Sequence, residues 1–70
     1  VKRRNFLKKI ETEAKRQGIP WALFTEGANH SIYKLGGKKI PVGRHAEIDN
    51  RLAETIFKEC EDLLGRGWWR

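Results

Sequence analysis

Cysteine occurs once in this chain of 70 residues, histidine twice and proline twice. The lone Cys60 excludes a disulfide framework and a cysteine-rich zinc site. It falls on the apolar stripe of a helical segment, where it reads as a small core residue, and an unpaired thiol suits a reducing compartment. The histidines and scattered carboxylates show no metal-ligand spacing such as H-E-x-x-H, so no metal is expected, and no other cofactor. A Gly-rich nucleotide loop and paired catalytic carboxylates are both missing. Apolar runs stop after a few residues, far short of a membrane span. The basic start leads into an amphipathic segment, unlike a secretory leader. A cytoplasmic protein with no membrane partner is the expectation. A chain this short buries only about 60% of its unfolded surface, so an active site has to lie on a surface or in a shallow groove.

What the sequence has in excess is positive charge, +6 net, unevenly spread. Residues 1 to 18 carry seven Lys/Arg against two Glu, and residues 19 to 45 carry four against one. Residues 46 to 64 reverse the balance, with two against six, and Arg66 and Arg70 follow. A basic first two-thirds beside an acidic segment points to one face for a polyanion and another turned away from it.

Phe6, Leu7, Ile10 and Ala14 recur at helical spacing, which predicts a helix from about Arg3 to Gln17. Gly18 and Pro20 stop it. Trp21 to Glu26 reads as a strand, followed by a tight turn at Gly27-Ala28-Asn29. His30 to Leu35 is a second strand. Gly36-Gly37 is a two-residue hairpin signal with glycines where positive φ is needed. Lys38 to Val42 is a third strand and Gly43 to Ile48 a loop. Asp49 or Asn50 caps a second helix running to about Leu64, with a stripe of Leu52, Ala53, Ile56, Phe57, Cys60, Leu63 and Leu64. The expected fold is α+β, in the order α-β-β-β-α: a single domain over residues 1–64 with a tail at 65–70. A three-stranded antiparallel sheet cannot bury one face alone, so both helices should cover the same face and leave the other open. Double-stranded-RNA-binding domains share this layout. Trp68 and Trp69 follow a Gly-Arg-Gly stretch, and the sequence leaves them folded back on a helix, against a partner, or loose.

Register decides what shares a face with His30. With Gly36-Gly37 as the loop, Leu35 pairs with Lys38, Tyr33 with Ile40, and Ser31 with Val42, a mainly apolar set that should face the helices. The complementary set pairs Lys34 with Lys39, Ile32 with Pro41 and His30 with Gly43, and should face outward. His30 then lies on the open face beside the Gly43-Arg44-His45 loop. For the first hairpin, a three-residue turn puts Trp21 and Leu23 in the core and a two-residue turn puts Ala22 and Phe24 there; the former is preferred.

An imidazole exchanges its proton near neutral pH, and neighbouring cations can hold a phosphodiester and stabilise the charge that builds during its cleavage. RNA supplies its own nucleophile, the 2′-hydroxyl, so a base can start the reaction without a metal. The plainer alternative is that His30 closes a turn. His45, next to Arg44, is suited to binding phosphate, donating a proton or capping a loop. The cations of the first helix, Lys2, Arg3, Arg4, Lys8, Lys9, Lys15 and Arg16, could track a nucleic-acid backbone or form a solvated face.

A helix ending in Gly, Trp21 at the head of a strand, "GANHSIY" and then "KKIPVGRHAEI" leading into a helix together resemble the HicA family of toxins from bacterial toxin–antitoxin pairs. The likeness covers roughly residues 4 to 60. His30 and Tyr33 hold the His and aromatic places of the family's G-S-H hallmark. Ala28-Asn29 stands where the family has G-S, and Thr25 where an Arg often sits. The resemblance implies a ribosome-independent messenger-RNA endonuclease with a double-stranded-RNA-binding-like fold. His30 would be its one catalytic residue, with Asn29, Lys34, Lys39, Arg44 and His45 as RNA contacts. It also implies a HicB-type antitoxin covering the open sheet face. A small RNA-binding module without cleavage, or an inactive homologue that only binds its antitoxin, would carry the same charge map.

Overall fold

In the computed structural model, which describes residues 1–70, the order is α1 (Arg3–Gln17), β1 (Trp21–Glu26), β2 (His30–Leu35), β3 (Lys38–Gly43) and α2 (Asn50–Leu64). The strands form one antiparallel sheet in the order β1-β2-β3. No helix is long and apolar enough to cross a membrane.

Phe6, Ile10 and Ala14 of α1 and Ala53, Ile56, Phe57, Cys60 and Leu64 of α2 are buried. They join Leu35, Ile40, Val42 and Ile48 in a single core. Both helices therefore pack on one face of the sheet, as the apolar alternation of β2 and β3 requires. Leu52, expected on the buried stripe of α2, is half exposed instead. The stripe that reaches the sheet runs 53, 56, 57, 60, 64, and residue 52 lies one position outside its edge.

The β2–β3 register is the expected one, with all six pairs from His30↔Gly43 to Leu35↔Lys38. That pairing carries β3 to Gly43, one residue past the predicted end. Of the two turn glycines only Gly36 has positive φ, at 58°. A side chain there would be strained, and the Gly36 N–H donates to the Pro20 carbonyl at 2.7 Å. Pro41, which has no N–H, sits in β3 at an edge of the sheet, the kind of place a strand tolerates it.

The first hairpin departs from both readings of the sequence. Trp21↔Leu35 and Leu23↔Tyr33 follow the register of a three-residue turn, but Thr25↔Ile32 and Glu26↔Ser31 are shifted by one across a bulge between Leu23 and Thr25. Trp21 faces the helices and stacks on Tyr33, with centroids 4.8 Å apart. Leu23 shares that side but stays 50% exposed, because β1 is an edge strand that the helices only partly cover. The extra residue leaves Phe24 outward and turns Glu26 to the side of Ser31, where its carboxylate stays half exposed.

The tail at 65–70 folds back on α2. Phe57 stacks on Phe6 at 5.0 Å, meets Trp68 edge-on at 5.2 Å and stacks on Trp69 at 5.9 Å. The Trp68 indole N–H donates to the Phe57 carbonyl, and that of Trp69 donates to Glu61. Glu61 also accepts the Gly67 N–H. These donors, Gly67 first, hold its carboxyl below the ordinary value. At the other end of the chain, Val1 to Arg3 pair with the loop before α2: the Arg3 N–H donates to the Ala46 carbonyl and the Ile48 N–H to that of Val1.

Phe57 touches both helices and the tail, so Phe57→Ala should cost about 3–5 kcal/mol in urea unfolding. Leu52→Ala, at an exposed site, should stay within about 0.5 kcal/mol. Burial, helped by the charge of Glu59, pushes the Cys60 thiol up to about 12. The native protein should therefore resist a thiol reagent at mildly alkaline pH and react once urea is added. The unfolded thiol ionises first, near its ordinary 9.0, while the folded thiol keeps its proton until about 12. That stabilising contribution is complete below the first value and is lost as pH climbs towards the second, which unfolding curves in that range would measure.

Candidate active site

Strand alternation sets the site. Ser31 is 2% exposed and faces the helices, so its neighbours His30 and Ile32 face the other way. His30 is exposed at the head of β2, opposite Gly43, which offers no side chain to cover it. The connection before it is closed by the Gly27 N–H donating to the His30 carbonyl at 2.8 Å. A Cβ on Gly27 would lie 3.3 Å from that carbonyl oxygen, so the close approach favours glycine.

A shallow cleft of about 320 Å³ opens here between the β1–β2 connection and the end of β3. Its walls are Ala28, Asn29, His30, Gly43, Arg44 and His45. Four of the six residues singled out in the sequence, Asn29, His30, Arg44 and His45, thus meet in one place. Lys34 and Lys39 do not. They lie on the same face but four residues further along, about 13 Å in an extended strand. Their ammonium groups sit 5.1 and 4.8 Å from the centre of the Phe24 ring.

Behind the cleft runs a charged network invisible in the sequence. Glu26 accepts a hydrogen bond from the Ser31 hydroxyl at 2.7 Å and forms an ion pair with Arg44 at 3.2 Å. Arg44 also donates to the Gly27 carbonyl, tying the loop after β3 to the end of β1. Arg3 reaches in from α1, its Nε donating to the Gly43 carbonyl at 2.8 Å and its Nη2 to Ser31 Oγ at 3.2 Å. No buried side-chain polar atom lacks a partner. Arg44 therefore lines the cleft as a cation already paired, and Arg3, read as a possible backbone tracker, is a structural cross-link. Lys8 and Lys9 flank a separate groove on α1 with Trp68, on the helical side of the molecule. Arg16 is held by Glu13, whose carboxyl it draws below the ordinary value.

Sequence reasoning did not assign Phe24 or Glu26 to the site, and it gave Arg3 a place only as a possible backbone tracker. Phe24's outward position follows from putting Trp21 and Leu23 inward. Glu26 gives no such signal, since regular alternation would have placed it on the outer face.

The cleft can hold one phosphate-sized group against an imidazole, with a second imidazole and a guanidinium on the far wall. No set of three or more His, Cys, Asp or Glu side chains is placed to hold a metal ion. Ser31 is the centre of the supporting network, so Ser31→Ala should cost about 1–3 kcal/mol, because it leaves charged partners short of a hydrogen bond. Thr25→Ala, exposed next to Glu26, should change stability by less than about 0.5 kcal/mol. Thermal unfolding of the two variants compares them.

No family model matches this chain, nor does any curated protein or solved structure.

Proposed function

We propose that the protein is a metal-independent endoribonuclease acting on messenger RNA, a toxin of the HicA type, with His30 as its catalytic residue. The observation that carries the reading is the exposed imidazole of His30 in a cleft it shares with His45, Arg44 and Asn29, on the sheet face the helices leave bare. In this scheme His30 takes the proton of the 2′-hydroxyl. The freed oxygen attacks the adjacent phosphorus, and the bond to the 5′-oxygen breaks. A protonated group or water returns a proton to that leaving oxygen. Arg44 and Asn29 hold the phosphate; the Glu26 and Gly27 contacts use only Nη2 of Arg44, which leaves the other guanidinium donors for phosphate oxygen. Lys34 and Lys39 act on the flanking strand rather than at the scissile bond. No other cofactor enters the reaction.

The natural restraint on such an enzyme is a HicB-type antitoxin that covers the open face. Acidic or apolar groups would match Lys34, Lys39 and Ile32 there. The reading places the protein in the cytoplasm, where both messenger RNA and a reducing environment occur. A second reading, RNA binding without turnover, draws on the pairing of Arg44 with Glu26, which leaves the cleft with little free charge.

Turnover of a labelled RNA by the protein alone separates the two. Cleavage should yield a 2′,3′-cyclic phosphate or 3′-phosphate and a 5′-hydroxyl, should survive a chelator and should spare DNA. His30→Ala should lower the rate roughly 100- to 10,000-fold while preserving the fold. Arg44→Ala should slow cleavage more than Lys58→Ala, whose side chain pairs with Glu54 on the acidic second helix. A folded His30→Ala variant that cleaves as fast as the parent rejects the assignment.

A further inference from the structure

Phe24 is the largest apolar side chain displayed on the open face. It is 51% exposed and lies outside the core. Two ammonium groups, from Lys34 of β2 and Lys39 of β3, lie over its ring, 5.1 and 4.8 Å from the centre, both reaching it from the side of the rest of the sheet. Ala22, paired with Lys34, adds no bulk beside the ring, and Ile32 and Pro41 continue the surface towards His30 and Gly43. The face thus runs from an aromatic ring in contact with two cations, over a low apolar floor, to the His30 cleft.

We infer that Phe24 is a stacking platform for a base of single-stranded RNA, taken on the ring face turned to the sheet edge, with Lys34 and Lys39 pairing to phosphates beside that base. The ligand's being RNA rests on the proposed function; the stacking does not depend on cleavage. A flat π-surface with cations beside it matches the pairing of base and phosphate along a single strand. The bases of a duplex are stacked on one another and cannot reach the ring. An acidic protein partner is the weaker occupant, since an aliphatic side chain would serve it equally well. Leu52, half exposed on the acidic helix away from the sheet, is aliphatic and offers a base no π-face. Phe24 lies on β1 beside Tyr33 and Ile32, about 7–10 Å along the sheet from His30, so the stacked base lies close to the bond in the cleft. Phe24 would then choose where along an RNA the cleft acts, by requiring an unpaired base at a fixed offset.

The test measures binding on the His30→Ala background, so that cleavage does not interfere. Fluorescence anisotropy compares a short labelled single-stranded RNA, the same sequence as a duplex, and a backbone of equal length lacking bases. Phe24→Ala and Phe24→Leu should each weaken single-strand binding by about 5- to 150-fold. Phe24→Trp should retain or strengthen it, and none of the three should alter binding of the base-free strand more than about two-fold, in keeping with a loss of stacking alone. Circular dichroism checks that each variant folds, as an exposed side chain should allow. Equal loss for Phe24→Ala on the RNA and on the base-free strand, full retention by Phe24→Leu, or equally tight binding of the duplex overturns the inference. So does a Phe24 variant that binds RNA normally but releases a bound acidic protein. If Phe24-dependent single-strand binding is found in a protein that never cleaves RNA, the platform stands and the nuclease reading falls. Cleavage that persists with unchanged affinity in Phe24→Ala leaves the reverse.

Discussion

The phase of β2 and β3 is the constraint on which the site depends. Leu35, Ile40 and Val42 are at most 1% exposed, and a strand cannot turn one of these inward without turning every second residue with it. A slip by one residue would expose these side chains to water and push the His30 ring and two lysine ammoniums under the helices. Hydrophobic burial of a few aliphatic residues therefore keeps His30 in solvent at no cost of its own. Its exposure is a by-product of the core, and it holds whether or not the imidazole reacts with anything.

The bulge in β1 works on a finer scale. One surplus residue converts Glu26 from an outer-face carboxylate into the acceptor that joins Ser31, Arg44 and, through Ser31, Arg3. Bulges re-aim single side chains in this way. Here the re-aimed carboxylate removes a negative charge from the face that carries Lys34 and Lys39 and places it where it fixes the loop holding Arg44. It also puts a negative charge next to Arg44, against which a phosphate in the cleft has to bind. The network thus orders the apo site and moderates its attraction for anions at once.

Much of this was legible in the residues. The two helices and the outer strands begin where periodicity, Gly18, Pro20 and the Gly36-Gly37 pair place them, and the β2–β3 register follows from keeping aliphatics together. These features are local or depend on one alternating pattern. The bulge was not legible, because its driving force lies between Glu26, Ser31 and a guanidinium on another element, groups that meet only in the folded chain. The same holds for the tail. Nothing near Trp68 and Trp69 announces that Phe57 offers a ring and a carbonyl, and Glu61 an acceptor, at the right positions on α2. Lys34 and Lys39 were placed on the correct face, but their distance from His30 and their contact with Phe24 depend on the strand length between them. As for the cleft, Asn29, His30, Arg44 and His45 could be brought together on paper because two strand ends pair; that Arg44 arrives already neutralised could not.

A three-stranded sheet has two free edges, and an unguarded edge recruits further strands. Here β1 is interrupted by its bulge and β3 by Pro41, which has no N–H to offer. Neither border presents an unbroken ladder of donors and acceptors to a second molecule. A domain that leaves one face of its sheet bare is therefore guarded sideways: each edge disfavours pairing with another strand, and the bare face is the easier side to engage.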